Sequence, residues 1–348
     1  MQSSPWANFK GMHGWSTIRL ILRRNAAIVG GVQLLVRMFP PRLKVARAPQ
    51  GPVLAGFGSD LVTSLLTHLI DLMDAQRIDY MALQPETWPN DASGLQGNGF
   101  TISPFLGEKR ATLIIELTQR TEKLLQQMRR TTRNNIRRAH DNGVLVREGT
   151  EVDLSIFYNH LVATAIRQRF VPRYRSYYSE LWQCLSRTEN IRLFVTEYHG
   201  EAISSLLVIP YGDTVTVEAF GWSGARRQMR PNEALVWKAM EWSKSNGYKR
   251  FNLGGIHASA AQALLGGASL PGALRCDATR FKLGFGGAIV LLPVTHEHIS
   301  NRGLRLFLHG CSTIVGKRNL VEAIQRALAT DKRGLNLLRS FLQRSAGR

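Results

Sequence analysis

Cysteine is scarce and acid is thin in this chain of 348 residues, and each scarcity excludes something. Three cysteines, Cys184, Cys276 and Cys311, are scattered without a CxxC pair or a metal-like spacing, which excludes a disulfide scaffold and a thiolate zinc site. The pattern fits a reducing compartment, so a cytoplasmic location is expected. No long hydrophobic run is present. The best stretch, Ala26 to Val36, has eleven residues, includes Gly30, Gly31 and Gln33, and is too short to span a bilayer. With Arg23 and Arg24 before it, that run could be taken for a signal peptide, but it reads better as a strand. Catalytic signatures are missing as well: there is no G-x-S-x-G elbow, no H-E-x-x-H and no phosphate-binding G-x-x-x-x-G-K-[ST]. Gly254-Gly255 and Gly266-Gly267 do not form a dinucleotide loop, and His296 and His298 lack further convincing ligands. No metal and no resident cofactor are expected.

What is present is positive charge. Lys and Arg number 45 against 25 Asp and Glu, a formal net charge of +20. Residues 1–50 carry eight basic residues and no acid, and the segment 301–348 carries ten against Glu322 and Asp331. Arg129, Arg130, Arg133, Arg137 and Arg138 form a third cluster. Solvated faces would account for any one of these. Together they point to a polyanionic partner: nucleic acid, a nucleotide-linked substrate, or peripheral contact with an anionic membrane. A recognisable RNA-binding aromatic pattern is absent.

The order of elements repeats. Ile18 to Leu22 and Ile28 to Val36 read as a strand hairpin, Ser59 to Ile70 as an amphipathic helix with Ser59 as its cap, and Ile78 to Leu83 as a strand. Ile191 to Tyr198 and Ile203 to Ile209, extended by Thr214 to Phe220, form a second hairpin. A helix opened by Pro231 and closed by Gly247 follows, then a strand over Arg250 to Leu253. Hairpin, helix, strand, twice over, predicts two copies of one α/β module, with a single larger mixed sheet as the alternative. Between them the periodicity predicts one long helix from Thr121 to Asn142, and Thr150 to Asp153 reads as a capping box. The boundary is placed near 150, giving domains 1–150 and 151–293 and a basic helical tail over 294–348. The Pro-, Gly- and Asn-rich loop 85–110 is a candidate lid.

Six motifs then occur in order: Pro5-Trp6-Ala7-Asn8-Phe9-Lys10 with Gly14-Trp15, Ala48-Pro49-Gln50-Gly51-Pro52, the arginine cluster through Asn134-Asn135, Arg167-Gln168-Arg169-Phe170 with Tyr177-Tyr178, Phe251-Asn252-Leu253-Gly254-Gly255, and Phe281-Lys282-Leu283-Gly284-Phe285-Gly286-Gly287. This series resembles the Fem family of non-ribosomal peptidyltransferases within the GNAT superfamily, over roughly residues 1 to 293. The resemblance implies an α/β (α+β) fold of two tandem GNAT-like domains, each a mixed sheet flanked by helices. It also implies a reaction: transfer of an aminoacyl group from aminoacyl-tRNA to an amine of a nucleotide- or lipid-linked peptidoglycan precursor.

In that family the Lys of the Phe-Lys pair stabilises developing charge. Lys282 and Phe281 are therefore the expected catalytic residues. Lys10 and Arg167 match the cations that hold a diphosphate. Tyr177 and Tyr178 are expected to straddle a helix, one inward and one toward the cleft, while Trp6 packs the first helix. Two departures stand out. Phe220 and Trp222 replace a Tyr-rich strand, which leaves Trp222 as a substrate contact of altered chemistry. No inserted coiled coil for tRNA is visible, so the basic helix or tail would have to serve. Glu218 is the nearest candidate base. The segment Arg226 to Glu233 lacks the glycines of a coenzyme-A loop, although its arginines could hold a pyrophosphate by side chain. Two other functions stay open: an acyl-CoA- or acyl-carrier-dependent N-acyltransferase, and a non-catalytic basic protein that binds RNA or membrane.

Overall fold

The computed structural model describes residues 1–39, 42–56, 58–87, 98–103, 110–272 and 278–306. Most of the candidate lid, Cys276, Cys311 and the tail beyond 306 lie outside the described residues. Two compact units emerge, Met1–Lys109 with Leu292–Arg348, and Arg110–Leu291. No described helix is long and apolar enough to cross a membrane.

The first unit opens with helix α1 (Ser4–Met12), whose Ser3 side chain caps the Trp6 amide and whose buried face carries Trp6, Ala7 and Phe9. Strands β1 (Ser16–Arg24) and β2 (Ala27–Phe39) form the expected hairpin, and β3 (Leu43–Pro49) continues antiparallel. The short β4 (Val53–Leu54) pairs with β2 at Gly30 and Gly31. Helix α2 (Ser59–Ala75) buries Val62, Leu65, Leu66, Leu69 and Met73 against the sheet, the i, i+3, i+4 spacing legible in the sequence. Its cap position is taken by Gly58, one residue earlier than expected. Strand β5 (Tyr80–Gln84) then runs parallel to β3.

The second unit repeats this plan with more in front. Strand β8 (Leu145–Gly149) leads through the capping box at Thr150–Asp153 into α5 (Leu154–Gln168) and α6 (Arg175–Ser186). Arg147 forks onto both Asp153 carboxylate oxygens at 2.8 and 2.9 Å, which holds that carboxyl below its ordinary range and ties strand to helix start. The meander β9 (Arg192–Tyr198), β10 (Glu201–Tyr211) and β11 (Thr214–Trp222) follows, then α7 (Pro231–Ser245) and β12 (Arg250–Ile256), parallel to β11. Helix α8 (Ala258–Leu265) and the short α9 (Ala278–Leu283) complete the helical layer.

The domain boundary differs from the sequence reading. Strand β7 (Arg110–Glu116) pairs antiparallel with β12 and so belongs to the second unit, which therefore begins at 110 rather than near 150. Strand β14 (His296–Ile299) pairs with β5 and with β6 (Thr101–Ile102) of the first unit. The start of the expected helical tail is thus a sheet strand. Sheet order is β1-β2-β3-β5-β14-β6 in the first unit and β13-β7-β12-β11-β10-β9-β8 in the second, with β13 spanning Ala288–Leu292. Each sheet takes the antiparallel strand beside its parallel pair from the other half of the sequence. Local periodicity carries no record of such an exchange.

The long helix expected over 121–142 is two: α3 (Thr121–Gln127) and α4 (Arg130–Asp141). Met128 and Arg129 are extended between them, Met128 being buried in the core. The break is bonded on both sides. Arg133 donates to the carbonyls of Leu125, Gln126 and Met128 at 3.4, 3.1 and 2.6 Å, satisfying the last orphan carbonyls of α3, while the Arg129 amide donates to the Gly284 carbonyl at 2.9 Å.

At one point β11 passes so close to α5 that only glycine fits. A Cβ on Gly221 would lie 2.6 Å from the Leu161 amide nitrogen and 2.7 Å from the His160 carbonyl carbon, both backbone atoms. Gly221→Ala should therefore lower unfolding free energy by about 1–3 kcal/mol, read as a fall in the denaturant midpoint.

Candidate active site

The site forms where two parallel strands part. Strands β11 and β12 pair only through Thr214–Thr216 and Arg250–Asn252. Beyond that, β12 bulges between Asn252 and Gly255 against β7, with the Gly254 amide donating to Asn252 Oδ1 at 2.8 Å and Thr112 Oγ1 donating to the same oxygen. The strands' backbones are then free to diverge, and a cavity of about 330 Å³ opens between them. Val217 and Phe220 line it from β11, Leu253 from β12, and Leu206 from β10. Thr164 and Gln168 of α5, Phe170 just beyond it, and Val236 of α7 form other walls.

Helix α9 closes the remaining side with Ala278, Phe281 and Lys282. Phe281 is half-buried, tilted against Phe220 at 6.0 Å and edge-on to the buried Phe285 at 5.3 Å. Lys282 Nζ donates to the carbonyl of Gly255 at 2.7 Å, so the β12 bulge holds an ammonium at the cavity wall. After α9 the chain turns sharply through Gly286 and Gly287, with φ of +78° and +92°. A Cβ on Gly287 would stand 2.6 Å from the Ile114 carbonyl oxygen, so this turn packs directly on β7. Together with the Arg129–Gly284 bond, it fixes the short helix that carries Phe281 and Lys282.

Arg167, near the end of α5, lies over the Trp222 ring with its guanidinium 4.7 Å from the ring centroid. It donates to Ser223 O and Thr164 Oγ1, each at 3.2 Å, and to Trp222 O. The Trp222 indole donates to Ala225 O at 3.0 Å, and the Trp222 amide donates to Thr164 Oγ1 at 2.8 Å. Arg167 and Trp222 therefore form one rigid rim beside the cavity. Thr164, which the sequence reading missed, is its hub. No spacing rule points to an interior helical threonine; only the close approach of α5 to β11 gives it a role.

Tyr177 and Tyr178 depart from expectation. Both are buried rather than split between core and cleft, and neither is among the residues lining the cavity. Their rings meet edge-on at 5.2 Å, and Tyr178 also packs on Phe157 at 5.1 Å. Burial, and next the charge of Glu218, push both phenols well above their ordinary values, so they are neutral hydroxyls at any working pH. Glu218 is the extra residue where the β10–β11 register slips, and the bulge aims its carboxylate at these tyrosines. Lys10 belongs to the first unit, on α1, with its ammonium 5.1 Å from both the Trp6 and Phe9 ring centroids.

A further carboxylate was not foreseen. Glu233, in the first turn of α7, accepts from Asn135 Nδ2 of α4 at 2.7 Å, and burial pushes its carboxyl upward. Pro231 at the start of the same helix removes one N–H. A pyrophosphate at this helix end would meet a carboxylate and find fewer amides.

The residues 126–262 match a family model described as an acetyltransferase (GNAT) domain. The fold is also that of a solved structure described as FemX, with a TM-score of 0.75 and 16% identity, covering 88% of this chain and 93% of that one. Fold and matched domain together define the class: a GNAT-fold protein built of two related units. Within that class, the homologues of this chain are Fem-family peptidoglycan bridge enzymes. The lipid II:glycine glycyltransferase of Staphylococcus epidermidis is 23% identical over 215 residues, 58% of this chain and 52% of that protein. The UDP-N-acetylmuramoylpentapeptide-lysine N(6)-alanyltransferase of Weissella viridescens is 23% identical over 279 residues, 74% of this chain and 80% of that protein. The chain thus spans about half the length of the glycyltransferases it matches.

Two stability measurements test this geometry. Thr164→Val leaves the Trp222 amide without its acceptor and should lower stability by about 1–3 kcal/mol in chemical denaturation. Glu233 carries a folded-state pKa above its ordinary value of 4.5, so between the two values the folded state binds more protons than the unfolded. Its contribution to stability therefore falls as pH rises from 4.5 through the raised folded value. Glu233→Gln should remove that fall, gaining on the wild type in melting temperature as pH climbs over this window.

Proposed function

We propose that the chain is an acyltransferase that moves an aminoacyl group from aminoacyl-tRNA to an amine of a peptidoglycan precursor. The observation that carries this reading is Lys282 Nζ, held at the wall of a largely apolar cavity by the carbonyl of a strand bulge. Named relatives that are glycyl- and alanyltransferases support it.

Aminolysis of an ester places a neutral amine on the acyl carbon. The C–N bond forms, negative charge builds on the carbonyl oxygen, and the C–O bond to the ribose then breaks. The amine loses a proton and the ribose oxygen gains one. A cation fixed beside the oxygens interacts more strongly with the transition state than with the ground state, and does so best where water is excluded. Lys282 takes that place. Phe281 supplies a flat apolar face against Phe220 for the donor's terminal base or the acceptor. Arg167, stacked on Trp222, offers the rim to the acceptor's diphosphate, exchanging backbone carbonyl bonds for phosphate oxygens. Tyr177 and Tyr178 act from beneath, keeping α6 in place against Glu218. Lys10 is a phosphate contact of the first unit. On this reading the protein works at the cytoplasmic face, where such precursors are made.

The second reading, an acyl-CoA-dependent N-acyltransferase, meets an obstacle at α7. The usual pyrophosphate seat is a helix N-terminus rich in free amides. Here Pro231 and the Glu233 carboxylate occupy it.

Incubation with charged tRNA or acyl-CoA and candidate amine acceptors, followed by mass spectrometry of the amide product, separates the readings. Product is expected from charged tRNA, and product from acyl-CoA alone would favour the second. Lys282→Met should lower turnover at least about 10²-fold with acceptor affinity retained. Full turnover in that variant would remove Lys282 from the mechanism.

A further inference from the structure

The turn between α5 and α6 exposes apolar side chains among arginines. Residues 154–179 carry Arg167, Arg169, Arg173 and Arg175 and no acid. Within the same stretch Ile166 is 74% exposed, Phe170 45%, Val171 94% and Tyr174 39%. Helix α5 ends because Arg169 adopts the left-handed conformation at φ 56°, and α6 resumes only at Arg175. The chain between them turns outward with Phe170 and Val171 at its crest. Single exposed apolar residues are ordinary on a protein surface. Four within nine positions, with Arg169, Arg173 and Arg175 exposed around them, are not.

We propose that this turn is a membrane-docking element that inserts Val171, Tyr174 and the exposed edge of Phe170 at the headgroup–acyl boundary of an anionic bilayer while Arg169, Arg173 and Arg175 meet lipid phosphates. The charge complementarity is one-sided: no carboxylate lies in the segment from Leu154 to Ser179 to oppose an anionic surface. Apolar side chains at the crest distinguish a lipid partner from a nucleic acid, which rewards cations and flat aromatic faces but gives nothing to a protruding valine. Neither an apolar crest nor a few cations anchors a protein well alone, and the pairing of the two is what gives useful affinity. Gln168 and Phe170 also line the cavity. Docking by this turn brings the cavity's edge to the bilayer, where a lipid-linked acceptor would be presented. That last consequence rests on the proposed function, whereas the docking itself does not.

The test is co-sedimentation of the full chain with vesicles, which involves no turnover and so succeeds or fails apart from the transferase reading. The wild type should bind phosphatidylcholine vesicles containing phosphatidylglycerol at least about tenfold better than phosphatidylcholine alone. Val171→Gln changes no charge and should weaken that binding at least about fivefold. Arg175→Glu, at the first position of α6 where an acid suits the helix dipole, should weaken it by about fivefold or more. Both positions are exposed, so folding is preserved and checked by circular dichroism. Absence of vesicle binding by the wild type would overturn the proposal. So would wild-type binding by both variants, or a Val171→Gln variant that binds vesicles normally while Arg175→Glu loses affinity for tRNA.

Discussion

Everything at the site depends on a short parallel pairing. Strands β11 and β12 share hydrogen bonds at only three residue pairs and then part. A sheet that remained paired would leave no cavity there, and its backbone carbonyls would all be spent on ladder bonds. Because β12 bulges at Asn252–Gly255, the Gly255 carbonyl turns toward Lys282 instead. One local irregularity thus opens the cavity and supplies the acceptor that holds its ammonium. The Asn252 side chain, bonded to both Thr112 and the Gly254 amide, keeps the bulge in one form.

Around that opening the second unit is organised to keep two helices still. The α3–α4 break, sealed by Arg133 and bonded to Gly284, presses on the turn that follows α9. On the far wall Thr164 joins α5 to the end of β11, where Arg167 and Trp222 form the rim. In the proposed mechanism, stabilisation of the transition state by a fixed cation requires that the cation not reorganise during the reaction. The dense local bonding of short, otherwise marginal segments such as α9 answers that requirement.

Much of this was legible in the sequence. The repeated hairpin, helix and strand appear in both units, and the capping box at Thr150–Asp153 is formed as its residue types demand. The six ordered motifs point to the same family as the homologues. Phe281 and Lys282 do meet in one cavity with Thr164 and Phe170, although their chemical roles rest on the proposed mechanism. What was not legible is non-local. The exchange of β7 and β14 between sheets moved the domain boundary, and periodicity within a segment cannot report which sheet will accept it. The helix break at Met128–Arg129 was hidden because the flanking residues keep a helical pattern; buried Met128 and the bond to Gly284 decide it. The sequence places Tyr177 and Tyr178 on opposite sides of their helix, but both are buried, Tyr178 against Phe157 and Tyr177 edge-on to Tyr178.

In the proposed mechanism Lys282 meets the acyl carbonyl within this cavity. The most direct measurement is a crystal structure of the chain bound to a short tRNA 3′-end mimic carrying its aminoacyl group through a stable amide. The acyl group is expected between β11 and β12, with Lys282 Nζ at a hydrogen-bonding distance of about 2.7–3.2 Å from the carbonyl oxygen. An acyl group seated elsewhere, with Lys282 still bound only to the Gly255 carbonyl, would contradict it.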